Sequence, residues 1–148
     1  MNDLVERLTN TERDQSFANV RPRDAATLIV LDHSEGQPKV MMGRRHDRHK
    51  FMPGKFVFPG GRVEVYDGRM SAAGELPAAI ERRLLTHVKR PTKAKARALA
   101  LAALRETSEE TGVVLGTRNA QTPKIPGEGW KPFADANVMP DLQSLYFI

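Results

Sequence analysis

Arg105-Glu106-Thr107-Ser108-Glu109-Glu110-Thr111-Gly112-Val113 is the stretch around which the rest of the chain can be organised. It closes an Ala- and Leu-rich run with helical spacing that Thr92 can cap and Gly112 can stop. At about 100° per residue, Glu106, Glu109 and Glu110 fall within an arc of about 100°, so these carboxylates share one face. Leu101, Leu104, Ser108 and Thr111 would face inward, while Ala98, Ala102 and Ala103 lie on or beside the acidic face and would let a loop approach closely. Carboxylates crowded at a helix C-terminus repel one another and oppose the macrodipole, so something positive is needed between them. A hard divalent cation meets that need, because Mg²⁺ takes carboxylate and carbonyl oxygens and is completed by substrate phosphates. For this pattern taken alone, a merely solvated acidic face is an equal alternative. Arg105, four residues before Glu109, can orient that carboxylate, hold a phosphate, or form an ordinary helix ion pair.

Working outward, Phe56-Val57-Phe58 reads as a strand that stops at Pro59-Gly60-Gly61, ahead of Arg62-Val63-Glu64. Glycine there allows backbone groups to come close to a ligand or metal. Strand, glycine loop and carboxylate helix together suit a diphosphate site. Residues 27–31 (Thr-Leu-Ile-Val-Leu) read as a buried strand, with Val40-Met41-Met42 as its hairpin partner. Residues 77–87 alternate apolar and charged side chains at helical spacing, with Pro77 in the first turn, and Lys89-Arg90-Pro91 breaks that helix. Val113-Val114-Leu115 reads as a fourth strand. Residues 116–141, with Pro123, Pro126, Pro132 and Pro140, read as mostly loop. Leu145-Tyr146-Phe147-Ile148 ends the chain as an apolar strand, which implies either a partner such as a second copy in a homodimer or a chain that stops short of its natural end.

Composition bounds these readings. The 148 residues suit one domain, with residues 1–24 as a polar leader to a domain spanning 25–148. There is no Cys, which excludes a disulfide scaffold, a Cys nucleophile and Cys-ligated metal. No apolar run is long enough to span a bilayer and no signal peptide opens the chain, so no membrane partner and a cytoplasmic location are expected. The net charge is +5, yet seven basic residues lie between Arg82 and Arg97, and without them the remainder carries −2. Neither this stretch nor the cluster Arg44-Arg45-His46-Asp47-Arg48-His49-Lys50 is interleaved with aromatics that could stack bases. A solvated surface is therefore the expectation for Arg82 to Arg97, and nucleic acid is not the expected partner. His46 and His49 lack a third ligand and read as surface histidines. Trp130 and Phe133 read as anchors of the late loop to the core.

These motifs resemble the Nudix hydrolase signature, G-x5-E-x7-R-E-U-x-E-E-x-G-U with U apolar. Arg105-Glu106, Glu109-Glu110 and Gly112-Val113 match its second half, and Gly61 matches its leading glycine. The departures are Asp67 for the first Glu, Thr107 at an apolar position, and a gap of 37 residues from Gly68 to Leu104 where the signature has seven. The resemblance implies an α/β fold, an α/β/α sandwich with a mixed sheet, carrying a helical insertion at about 69–97 inside the signature. Only 36 residues follow Gly112, little for the rest of such a fold.

By position, the resemblance makes Glu106, Glu109 and Glu110 metal carboxylates, with the Gly61 carbonyl as a further ligand and Arg105 orienting a carboxylate. The implied reaction is Mg²⁺- or Mn²⁺-dependent hydrolysis of a nucleoside diphosphate linked to another group, a nucleotide-type small-molecule substrate. Glu109, Glu110, Glu128 and Asp135 are all candidates for the general base. A weaker resemblance to coenzyme A diphosphatases of this family covers Arg45, Lys50 in place of Arg, Gly54 and Phe58-Pro59-Gly60-Gly61. It suggests that Arg45 and Lys50, beside Gly60 and Arg62, contact phosphate; a solvated basic hairpin end is the equal alternative. Two rival functions are a catalytically silent ligand-binding or regulatory module, which the intact glutamates oppose, and a basic nucleic-acid-binding domain, which the acidic remainder opposes.

Overall fold

A computed structural model describes residues 22–48, 53–118 and 122–148. Most of the expected leader, together with His49 and Lys50, lies outside the described residues. In chain order the elements are β1 (Ala25–Thr27), β2 (Leu31–Asp32), β3 (Lys39–Val40), β4 (Gly43–Arg44), β5 (Phe56–Val57), β6 (Gly60–Arg62) and a 3₁₀ turn (Asp67–Arg69). Helices α1 (Ala78–Leu84) and α2 (Lys93–Thr111) follow, then β7 (Gly116–Arg118), a second 3₁₀ turn (Glu128–Trp130), α3 (Lys131–Asp135) and β8 (Val138–Pro140).

Helix α2 begins and ends as its sequence dictates. The Thr92 side chain accepts a hydrogen bond from Lys95 N at 3.1 Å, and Gly112 closes the helix in the left-handed region at φ 74°. From Leu99 to Arg105 the helix is buried all round, with Leu101 and Ala102 fully enclosed. Met70, Leu76, Trp130, Phe133, Val138 and Leu142 pack with its Ala96, Ala100, Leu101 and Leu104 as one core. Thr107, where the signature has an apolar residue, is fully buried; its hydroxyl donates to Ala103 O at 2.8 Å, so the polar atom is satisfied inside the helix.

The strands pair as four two-stranded antiparallel ladders, with one isolated parallel bridge between Ala73 and Asp141, where a mixed sheet was expected. Proline and glycine account for the breaks. Pro59 has no N–H to give, yet its carbonyl accepts from Leu28 N at 2.9 Å, so β5 turns off β4 and the chain re-pairs as β6 against β1. Gly60-Gly61 is thus part of a strand, with Ala26 opposite Gly61, and is not the stop that the sequence suggested. The expected buried strand over 27–31 is split between β1 and β2, and Leu31 is 52% exposed. Its pairing with Val40 does form as expected.

Other expectations change further along. Pro77 stands at the N-cap of α1, not in its first turn. Helix α2 starts at Lys93 behind its expected cap Thr92, so residues 93–97 of the range read as an insertion are helical. The basic stretch is not simply solvated: Arg97 donates to Met70 O at 2.7 Å, Lys95 pairs with Asp24 at 3.0 Å and Arg83 donates to Phe147 O at 3.2 Å. Residues 113–115 carry no strand, which forms instead at β7 against β8. The late segment is not mostly loop, since it holds a 3₁₀ turn, α3 and β8. Residues 142–148 form no strand either: Leu142 is buried, whereas Tyr146 and Ile148 are each 86% exposed. Among the described residues, no helix is long and apolar enough to cross a membrane.

Candidate active site

Three segments converge on the C-terminal end of α2. Strand β6 brings Gly60 and Gly61, the first 3₁₀ turn brings Asp67, and the second brings Gly129 and Trp130. Arg105 lies at their centre with its side chain 3% exposed. Its Nε donates to Asp67 Oδ1 at 2.8 Å and its Nη2 to Asp67 Oδ2 at 3.1 Å, a two-pronged pair. Nη2 also donates to Arg62 O at 2.8 Å and to Glu106 Oε1 at 3.1 Å, and Nη1 donates to Glu109 Oε2 at 2.5 Å. The guanidinium carbon stands 5.9 Å from the centre of the Tyr66 ring. Burial works against the Arg105 charge, but the hydrogen bonds and field of Asp67, reinforced by Glu106 and Glu109, outweigh it and raise its pKa. Arg105 stays a cation, and each of its three side-chain nitrogens donates to at least one acceptor.

Each glutamate is held by one oxygen. Glu106 bonds Arg105, Glu109 bonds Arg105, and Glu110 Oε2 accepts from Gly60 N at 3.0 Å. The second oxygen of each is left over for a ligand. Glu106 lies so close to Gly61 that a Cβ there would overlap its carboxylate, which is the physical reason for glycine at this position. Burial pushes the Glu106 carboxyl above its ordinary range; Arg105 pulls it down, and the charges of Glu109 and Glu110 push it up. A cation among these carboxylates would relieve that repulsion, and all-oxygen donors suit a hard ion. Among the described residues, no three acidic or imidazole side chains are gathered closely enough, as they stand, to hold a metal ion together.

The ladder register decides which backbone carbonyl faces this end. Leu28 N bonds Pro59 O and Val63 N bonds Asp24 O, which makes Ala26 and Gly61, midway between, a mutually bonded pair. The Gly61 carbonyl is therefore directed across the ladder at Ala26. Gly60 turns its N–H the other way, to Glu110, and its carbonyl leaves the strand on that same edge.

The other expected site residues are placed less centrally. Arg45 is half-buried on the segment after β4, where its N–H bonds Lys55 O and its carbonyl accepts from Gly54 N. The Arg62 side chain is exposed, and its carbonyl serves Arg105. His46 accepts from Arg48 N at 3.1 Å, and Asp135 is paired with Lys131 at 3.0 Å on α3. Glu128 opens the turn whose next residue, Gly129, packs against Glu109. Trp130 is fully buried and packs against Phe133 with ring centres 4.9 Å apart and planes tilted by 57°, the anchor expected of it. Its indole N–H also donates to Asp67 Oδ1 at 3.2 Å. Nothing in the residue pattern points to that bond beyond an acid in register at Asp67, which the fold must pair if it is buried.

No family model matches the sequence, and no curated protein does. Among solved structures the chain is similar to a NUDIX hydrolase from Alicyclobacillus acidocaldarius, with a TM-score of 0.58 and 27% identity over 85% of this chain. The chain spans 60% of that structure's length. This likeness agrees with the mixed α/β fold expected from the motifs, and the structure it points to belongs to the family whose signature they resemble.

Proposed function

We propose that the chain is a divalent-cation-dependent hydrolase that cleaves the diphosphate linkage of a nucleoside diphosphate joined to another group. The observation that carries this reading is the arrangement at the end of α2: Glu106 and Glu109 each tethered by one oxygen to a buried arginine that Asp67 holds from behind, with Glu110 tethered by one oxygen to Gly60 N on the adjoining strand. Glu106, Glu109 and Glu110 would hold the cation through their untethered oxygens, and the Gly60 carbonyl, on the edge that faces Glu110, suits a backbone ligand better than that of Gly61. A bound Mg²⁺ or Mn²⁺ supplies charge neutralisation at the diphosphate and acidifies a water at neutral pH.

The protein's own groups do the rest. Arg105 fixes Glu106 and Glu109 through separate nitrogens, so the two carboxylates cannot turn toward each other. Gly60 N–H holds Glu110 against the strand. Glu109, Glu110 and Glu128 are the candidates for the group that takes the proton of the attacking water, and Asp135, engaged by Lys131, is the weakest of the four considered. Arg45 would add a phosphate contact, as the weaker resemblance suggests, with Lys50 outside the described residues.

The reading is tested with ADP-ribose, NADH, coenzyme A, diadenosine polyphosphates and an oxidised nucleoside triphosphate, with products identified by mass spectrometry. Release of a nucleoside monophosphate from at least one of them should require Mg²⁺ or Mn²⁺. Glu109→Gln or Glu110→Gln should lower kcat by roughly 10²- to 10³-fold, the scale of removing one charge-stabilising group. A folded protein inactive on the whole panel, or both variants fully active, would overturn the proposal.

A further inference from the structure

We infer that Trp130 is a positioning residue for this site: through Asp67 its indole N–H fixes the direction of Arg105, and through Arg105 the placement of Glu106 and Glu109. The catalytic part of this inference rests on the proposed function; the structural part stands on bonds around Asp67 alone. Asp67 is fully buried and its two oxygens receive four donors. Oδ1 takes Arg105 Nε at 2.8 Å and Trp130 Nε1 at 3.2 Å; Oδ2 takes Arg105 Nη2 at 3.1 Å and Glu64 N at 2.8 Å. A carboxylate and guanidinium joined only by their two-pronged pair can swing together as a unit. Here one anchor outside the pair holds each oxygen, Glu64 N on one and Trp130 on the other.

The second anchor comes from a different part of the chain. Trp130 belongs to the 3₁₀ turn Glu128–Trp130, 63 residues from Asp67, and its ring is locked by Phe133 in the core. The same turn meets the site at two more points. A Cβ on Gly129 would stand 2.5 Å from Glu109 Oε1 and 2.8 Å from Arg105 Cδ, and one on Gly127 would stand 3.0 Å from the Tyr66 ring that lies beside Arg105. Residues 127–130 therefore press on Tyr66, Arg105 and Glu109 and bond Asp67, which makes this turn the back wall of the site. A core tryptophan needs only a partner for its N–H. This one has chosen the carboxylate on which Arg105 depends.

The experiment compares Trp130→Phe with Phe133→Leu. The first removes the N–H and keeps a ring; the second loosens the same core without touching a polar group. In nitrogen-15 NMR of the metal-free protein, the Arg105 Nε–H should give a protected signal that exchanges at least tenfold faster in Trp130→Phe and within twofold of wild type in Phe133→Leu. The wild-type indole signal identifies itself, because the chain has one tryptophan. With Mn²⁺, titrated by loss of its free-ion electron resonance, Trp130→Phe should bind about tenfold more weakly and lose about tenfold in kcat with KM within twofold, as expected when a partner behind a metal ligand is removed.

An unchanged Arg105 signal in Trp130→Phe, or equal effects in the two variants, would overturn the inference and leave the proposed hydrolase standing. Wild-type protein that neither binds Mn²⁺ nor turns over would instead remove the proposed function and the catalytic part of the inference, while the NMR comparison still decides whether Trp130 holds Arg105.

Discussion

Asp67 and Arg105 form the most enclosed ion pair among the described residues, with side chains 0% and 3% exposed. Taking two charges out of water is costly, and the pair repays it only because every remaining oxygen and nitrogen also finds a partner. The asymmetry that follows is testable. Asp67→Asn keeps the shape and deletes the charge, leaving Arg105 buried with only the outer carboxylates, so urea unfolding should show a loss of about 3 kcal/mol, the lower end for breaking a buried pair. A loss below about 1 kcal/mol would mean that Glu106 and Glu109 already neutralise Arg105. At the same scale, Gly129→Ala should force Glu109 or Arg105 aside. Its cost of about 1–3 kcal/mol in overpacking should come with a fall in kcat toward that of Glu109→Gln, measured on whichever substrate the panel identifies.

At the scale of elements, legibility in the sequence follows how locally each element is specified. Helix α2 was readable because its cap, its Ala-Leu run and its terminal glycine lie within one window of sequence. Thr92→Ala should therefore cost about 1 kcal/mol in thermal or urea unfolding, with the acidic end unaffected; no change would mean that packing alone fixes where the helix starts. The three glutamates and Arg105 were legible for the same reason. Strands β1 to β6 were less so, because their breaks are set by which neighbour each residue meets: Pro59 ends one pairing and supplies a carbonyl to the next. The late segment misled because its prolines were read as breakers. Pro132 sits in the first turn of α3, where a missing N–H costs nothing, and Pro140 closes β8. Trp130 could be read as an anchor but not as a partner of Asp67, since nothing local joins residues 63 apart.

Over the whole molecule, burial is distributed very unevenly, and that distribution sets where the chain opens first. Residues 99–105 of α2 are enclosed on every side, with Met70, Trp130, Phe133 and Leu142 fully buried around or near them. The β2–β3 hairpin, by contrast, has every strand residue exposed, with Leu31 and Val40 showing 52% and 47% of their surface, and beyond it Met42 and, on β5, Phe56 show 44% and 65%. Local opening free energy follows buried apolar contact, so hairpin amides should exchange by small fluctuations and the helix amides only by near-global unfolding. Each 1.4 kcal/mol between the two is a factor of ten in protection. Hydrogen exchange should show the Leu101 and Leu104 amides protected at least about 10² times more than the Met41 amide that bonds Val30 O. The site straddles this boundary: Arg105 and Asp67 belong to the slow core, while Glu110 is tied to Gly60 on the strand side. Glu110→Gln should leave the exchange of Leu101 and Leu104 unchanged, whereas Asp67→Asn should speed it in proportion to its loss in unfolding free energy. Equal protection across hairpin and helix would instead show that the molecule opens as one cooperative unit, with the exposed strands as firmly held as α2.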